Sequence, residues 1–310
     1  MARLHKPRPL REGDLVQVVA PASYAPDEVV QRGVAVLESW GLRVRLDPAL
    51  LGRRHLYFAG TPAERGAELM QGLLDPEVRA LVPVRGGYGL ASVLPHLDAA
   101  AVRAAEPTLV VGCSDLTVLL TWLTQEVGWT CLHGPMVSGL ARGDDPDGDA
   151  RLRQLLFEGG KAPALRSAFD GPDAWCLAPG NAVGPATGGN LAIVASTCGT
   201  PAQLDARGRV LFLEDVGERP YRIDRMFVQL DQAGILDAAA ALVLGDFTGC
   251  AEGDLSWRDA VRRVLRRKPL PVLAGVPFGH GNPNLAFPLG TRVAVDAGAG
   301  TVSFREAHLD

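Results

Sequence analysis

As far as Pro135 the chain alternates short β-forming runs with segments of helical periodicity, and this alternation restricts the fold more than any other feature. Residues 15–20 (LVQVVA) form a β-rich run that stops at Pro21. Val29, Val30, Val34 and Leu37 then recur at helical spacing, and Gly41 supplies a stop. Residues 42–46 alternate apolar and basic side chains, as a half-exposed strand does. Thr61-Pro62-Ala63-Glu64 predicts a helix start on three agreeing signals: Thr as N-cap, Pro at the first helical position, and Glu three residues on. A strand over 80–84 runs into the glycine-rich Arg85-Gly86-Gly87-Tyr88-Gly89, and a strand over 108–111 runs into Gly112-Cys113-Ser114-Asp115. Residues 116–127 read as a buried helix, and 129–132 as a strand closed by His133-Gly134-Pro135. Such βαβ alternation requires a parallel sheet covered by helices. In an open sheet of that kind ligands bind beyond the carboxyl ends of the strands. Here those ends are residues 21–23, 85–89, 112–115 and 133–135, where glycine and small polar residues gather.

From Asp144 the texture changes. Residues 144–149 form an acidic turn, 152–157 complete a helix, and 159–184 are rich in Pro, Gly and Ala. The expected organisation is an α/β domain over 1–158, a linker over 159–184 and a mixed α/β domain over 185–310. In the latter we expect helices near 190–197, 221–233 and 257–268, and strands at 209–213, 241–245 and 272–276. A Gly/Pro/Asn loop follows the last of these strands, and 292–304 read as a terminal hairpin.

A chain of 310 residues accommodates two such domains. With 47% hydrophobic and 21% charged residues it has an ordinary globular composition. Its formal charge of −4 comes from interspersed acidic and basic side chains, which argues against nucleic acid or a membrane surface as partner. Cys113, Cys131, Cys176, Cys198 and Cys250 are scattered and contain no CxxC pair, so a reduced compartment is expected, without a disulfide scaffold or zinc site. The basic start is followed by Arg11, Glu12 and Asp14 where an export signal needs an apolar stretch, and no apolar run approaches the roughly 20 residues that span a bilayer. The expected location is cytoplasmic.

Three segments could carry chemistry. In strand–Gly-Cys-Ser-Asp–helix, a serine on a tight turn projects its hydroxyl from the sheet edge, while free N–H groups of the helix start can face a developing oxyanion. An α/β-hydrolase elbow would carry glycine where Leu116 stands, which argues against that superfamily; the plain alternative for Ser114 is a helix N-cap. The 209–213 strand ends in Glu214-Asp215, followed by Val-Gly-Glu218-Arg219-Pro-Tyr-Arg222; one carboxylate could orient a histidine, or the acids could simply cap the next helix. Gly279-His280-Gly281-Asn282 flanks an imidazole with glycines, which core filling does not require. A lone loop histidine is otherwise ordinary surface.

These segments, together with Arg85-Gly-Gly-Tyr-Gly and Val18-Val-Ala-Pro-Ala-Ser23, resemble the LD-carboxypeptidase family, in family order and over nearly the whole chain. The resemblance implies a flavodoxin-like N-terminal α/β domain and a C-terminal domain of mixed strands and helices. It implies Ser114 as nucleophile, His280 as general base and Glu214 as the acid, with backbone N–H groups of Asp115 and Gly87 (Gly86 being the alternative) as oxyanion hole. The expected substrate is a small murein peptide, cleaved between the L-centre of a diamino acid and a terminal D-alanine in peptidoglycan recycling, without cofactor or metal. A homodimer is implied as well. Gly86 and Tyr88 are expected to line the substrate site, and Arg85, Arg219 and Arg222 are candidates to clamp its terminal carboxylate. With Ser114 in one domain and Glu214 and His280 in the other, the triad is expected to form where the domains meet. The alternatives are an immunity-type member that cleaves a peptidyl-nucleotide antibiotic, a non-catalytic binding protein of the same fold, and a cysteine amidohydrolase using Cys113.

Other features point to no chemistry. Arg262, Arg263, Arg266, Arg267 and Lys268 form a solvated helix face. Residues 144–149 lack calcium-loop spacing because Pro146 interrupts them, and His55, His96 and His133 make no metal-ligand pattern.

Overall fold

In the computed structural model, which describes residues 4–266 and 268–310, the chain divides into two compact units. One takes the residues up to Gly160 with Leu285–Pro288 and His308–Asp310; the other takes Lys161–Asn284 and Leu289–Ala307. Arg267 of the basic run and Met1, Ala2 and Arg3 of the basic start lie outside the described residues.

The first unit is built on a six-stranded sheet in the order Phe287–Leu289, Cys131–His133, Leu109–Gly112, Val78–Pro83, Leu15–Val19, Arg43–Arg45. The pairings among the five strands up to His133 are all parallel. Taken in chain order those five lie as 2-1-3-4-5, the flavodoxin-like arrangement. Both faces of the central strands are covered, so their sequences are continuously apolar: Val16, Val18, Leu81, Val82, Val110 and Val111 are all buried. Helices Asp27–Ser39 and Pro62–Leu74 make two of the crossovers. The second opens as its sequence predicts, with the Thr61 hydroxyl accepting from the Glu64 N–H and the Glu64 carboxylate accepting from the Thr61 N–H. The apolar run after Ser114 is buried and helical in three consecutive pieces: a 3₁₀ turn, an α-helical segment Thr117–Trp122 and a π-helical turn. Strand order reverses between Leu15–Val19 and Val78–Pro83, so residues 21–23 and 85–89 leave the sheet at its topological switch point. The sequence pattern predicts no strand at the edge position that Phe287–Leu289 takes.

The second unit holds an eight-stranded mixed sheet in the order Leu165–Arg166, Thr301–Phe304, Arg292–Asp296, Asn181–Asn190, Val210–Val216, Ala241–Thr248, Val272–Leu273, Cys176–Ala178. Its centre, from Asn181–Asn190 to Val272–Leu273, is parallel, and the strands flanking it pair antiparallel. Several strands of this sheet come from residues 159–184, the stretch whose composition suggested a linker.

Period-two alternation along Val210–Val216 sorts its side chains. Leu211 and Leu213 enter a core with Leu191 and Val194 of helix Leu191–Ser196, Ile223, Phe227 and Leu230 of helix Pro220–Gln232, and Val261 of helix Trp257–Leu265. Phe212 points to the other face and meets Phe278 edge-on, ring centroids 5.6 Å apart. The same alternation carries into the two carboxylates at the end of the strand.

Candidate active site

Ser114 stands just past strand Leu109–Gly112. The backbone is extended at Cys113 and turns sharply at Ser114, where φ is +59°, a left-handed conformation that costs a non-glycine residue of order 1 kcal/mol or more. Such strain is retained where surrounding structure over-determines it, and here the glycine-rich loop does so. A Cβ built on Gly86 would lie 2.8 Å from the Ser114 Cβ, 3.0 Å from its Oγ and 3.1 Å from the Asp115 nitrogen. Only a glycine backbone can approach the hydroxyl and that N–H so closely. The loop is laced to residues 21–23: the Ser23 N–H donates to the Gly86 carbonyl at 3.2 Å, and the Ser23 hydroxyl accepts from the Tyr88 N–H at 3.3 Å. A Cβ on Gly87, where φ is +103°, would instead lie 2.4 Å from the Ser23 Oγ, so both glycines sit where a side chain has no room.

In the second unit the Glu214 side chain is fully buried, and its Oε2 meets Nδ1 of His280 at 2.7 Å. The contact needs Gly279, whose φ is +117° and whose Cβ, if present, would lie 2.5 Å from that same oxygen. Asp215 points to the opposite face. It accepts hydrogen bonds from Ala192 N–H at 3.0 Å, from the Asn190 amide at 3.0 Å and from Val216 N–H. Asp215 therefore serves the start of helix Leu191–Ser196, while Glu214 serves the histidine. Burial outweighs these donors and, with Glu214 adjacent, raises the Asp215 pKa to about 6. The Asn190 amide also lies 3.4 Å from Oε1 of Glu214. Sequence reasoning placed Asn190 only at a helix start; the Gly188-Gly189-Asn190 run ending a strand beside Val210–Val216 was the available signal.

The remaining candidates separate by their partners. Arg85 is exposed and has no carboxylate partner among the described residues. Arg219 pairs with Glu252 at 3.6 Å and Arg222 with Glu218 at 2.5 Å. Tyr88 is exposed, its ring 5.7 Å from Phe58 and 6.0 Å from Tyr57. Of the basic run, Arg263 pairs with Asp224, and Lys268 with Asp231 and Asp237. Cys113 is buried. Among the described residues no group of three or more His, Cys, Asp or Glu is placed to hold a metal ion, and no helix is long and apolar enough to cross a membrane.

Residues 16–134 match the LD-carboxypeptidase N-terminal domain and residues 183–295 match the LD-carboxypeptidase C-terminal domain. The chain belongs to the LD-carboxypeptidase family. Members of this family to which it is similar include a probable murein peptide carboxypeptidase of Bacillus subtilis, 36% identical over 94% of this chain and 92% of that one. The crystal structure of a muramoyltetrapeptide carboxypeptidase from Oxalobacter formigenes superposes with a TM-score of 0.83 at 30% identity, covering 96% of this chain and 99% of its own. The microcin C7 self-immunity protein MccF of Escherichia coli is 26% identical over 97% of this chain and 96% of its own length. As an LD-carboxypeptidase the chain is a serine-type hydrolase of peptide bonds, and its parallel-sheet and mixed-sheet units are those the family resemblance implied.

Proposed function

We propose that this carboxypeptidase removes terminal D-alanine from murein tetrapeptides by hydrolysing the amide at the L-centre of the diamino acid, with Ser114 as nucleophile, His280 as general base and Glu214 as the acid that orients it. The observation that carries the mechanism is the Glu214–His280 contact at 2.7 Å, made by a buried carboxylate through space that only glycine leaves open. With Nδ1–H donated to Glu214, the imidazole has the tautomer that leaves Nε2 to take the Ser114 proton. Ser114 Oγ then attacks the scissile carbonyl, and the oxyanion is held by the Asp115 N–H with a second N–H from the Gly86–Gly87 turn. His280 protonates the departing D-alanine amine, and water, deprotonated by the same imidazole, releases the acyl-enzyme. Arg85 is proposed to pair with the substrate's terminal carboxylate, because Arg219 and Arg222 already have carboxylate partners. The murein substrate is supported by the names of the Bacillus subtilis and Oxalobacter formigenes relatives. A cytoplasmic homodimer acting in peptidoglycan recycling completes the reading; light scattering of the purified protein tests the dimer.

A second reading, cleavage of a peptidyl-nucleotide antibiotic, is supported by the likeness to the microcin self-immunity protein over almost the whole chain. Mass spectrometry separates the two. Purified enzyme is incubated with a muropeptide digest and with a peptidyl-nucleotide amide, each beside Ser114→Ala and Cys113→Ser variants. Loss of one D-alanine from tetrapeptides, absent with Ser114→Ala and retained with Cys113→Ser, is expected. Equal rates on an all-L analogue would remove the LD assignment, and an active Ser114→Ala beside an inactive Cys113→Ser would transfer the nucleophile's role to the thiol.

A further inference from the structure

The first unit contains a buried arginine for which neither the triad nor the substrate clamp has a use. Arg65, on helix Pro62–Leu74, is 0% exposed, and no carboxylate pairs directly with it among the described residues. Its guanidinium instead donates to backbone carbonyls: Nε to Gly60 at 3.0 Å, and Nη1 to Pro21 at 2.7 Å and Gly89 at 3.0 Å. Nη2 reaches the Ser92 hydroxyl at 3.3 Å, and the group lies over the Phe58 ring at 4.7 Å. Burying a cation is costly unless its donors are used, and here the fork binds carbonyls from separate loops at the switch point of the sheet.

The second half of the arrangement is the Asp115 side chain, also buried, which accepts the Leu90 N–H at 2.9 Å. The Gly89 carbonyl and the Leu90 N–H belong to one peptide group. That group therefore has its oxygen on a buried cation and its N–H on a buried anion, so it bridges two charges that do not touch. Burial raises the Asp115 pKa, with the Leu90 N–H and the Arg65 charge opposing, while burial lowers that of Arg65, with Asp115 opposing. Each charge is thus the other's compensation, transmitted through a backbone dipole. Phe58 closes the assembly: a Cβ on Gly89 would lie 2.4 Å from its ring.

The geometry points to Arg65 and the Asp115 carboxylate as positioning residues for the reaction: by clamping the Gly89–Leu90 peptide they hold the Gly86–Gly89 loop in register with the Ser114–Asp115 turn, and so fix the oxyanion-binding N–H groups relative to the nucleophile. This rests on the serine mechanism proposed above. Asp115 contributes twice, its N–H toward the oxyanion and its carboxylate toward the loop that lies against Ser114. A misplacement of about 1 Å in such a site costs on the order of 100-fold in turnover, although neither side chain touches the substrate.

The test compares wild type with Asp115→Asn, Arg65→Lys and Arg65→Met. Asp115→Asn is nearly isosteric and keeps an acceptor for Leu90, so it carries the test even where Arg65→Met does not fold. Folding is checked by circular dichroism and thermal melting; kcat and KM, and the affinity of a peptide boronic acid that forms a tetrahedral adduct with Ser114, are then measured. We expect kcat to fall roughly 30- to 100-fold in Asp115→Asn and Arg65→Lys with KM changed less than about threefold, boronate affinity falling in step with kcat/KM. The double variant Asp115→Asn/Arg65→Lys should be little worse than the singles, since both act on one peptide group. Folded variants with wild-type kcat, or a loss confined to KM, overturn the inference. A fluorophosphonate control separates this from failure of the serine mechanism: wild type labelled at Ser114 with unaffected variants refutes the clamp alone, and wild type left unlabelled refutes both.

Discussion

Gly279 and Glu214 share a space too small for one more carbon: a Cβ on the glycine would stand 2.5 Å from the carboxylate oxygen that meets His280. At φ +117° an alanine is also strained in its own backbone. Gly279→Ala is therefore expected to lower stability by about 2 kcal/mol and turnover by on the order of 100-fold, by pushing carboxylate and imidazole apart. Gly13→Ala, at φ +81° with nothing within 4 Å of the added carbon, is the control for backbone strain alone; it should lower stability and leave kcat unchanged. Equal kcat losses in both would show that strain, rather than displacement of Glu214, is responsible.

Adjacent carboxylates at the end of one strand should behave differently. Glu214→Gln removes the charge that holds the imidazole tautomer, and turnover should fall roughly 10³- to 10⁴-fold with the fold intact. Asp215→Asn, on the opposite face and bonded to helix N–H groups, should cost much less. Added to His280→Ala, the Glu214 change should do little more. Kinetics of the singles and the double on one peptide decide it; full additivity would separate Glu214 from His280 functionally.

Asp215 also makes stability depend on pH in a direction opposite to most surface acids. Its folded pKa of about 6 lies above the ordinary carboxylate value of 3.8, so the native state binds the proton more tightly than the unfolded chain does. The stabilisation this supplies is full below about pH 4 and is lost as pH rises through about 6. Relative to Asp215→Asn, the wild type should lose no more than about 3 kcal/mol between pH 4 and 7. Urea unfolding of both proteins across that range tests the sign, and a wild type that gains on the variant contradicts it.

Arg85→Ala should raise KM at least tenfold for a peptide with a free terminal carboxylate and leave kcat nearly unchanged. Arg219→Ala and Arg222→Ala should change KM less, since both cations are already paired at the surface. Capping the substrate carboxylate as an amide should abolish the difference between wild type and Arg85→Ala; persistence of that difference would assign Arg85 another role.

The sequence by itself determined what is local. Period-two and helical spacing, the Thr61–Glu64 box and the strand ends after Val19, Pro83 and Gly112 were legible because each depends on residues near one another in the chain. Adjacent side chains on a strand alternate faces, so Glu214 and Asp215 face opposite ways because the strand runs through both as far as Val216. Tertiary structure decided the rest. No local pattern distinguishes Arg65 from any helix-surface arginine, because its acceptors Pro21 and Gly89 lie far away in sequence. Asn190 by sequence falls only at the start of a helix near 190–197, and strand pairing is what sets it beside Glu214. Residues 287–289 lack the length and pattern of a strand, and they are one because the edge of the 131–133 strand offers unpaired backbone groups to fill. Chemistry that depends on which loops share a sheet end becomes readable only once the chain has closed on itself.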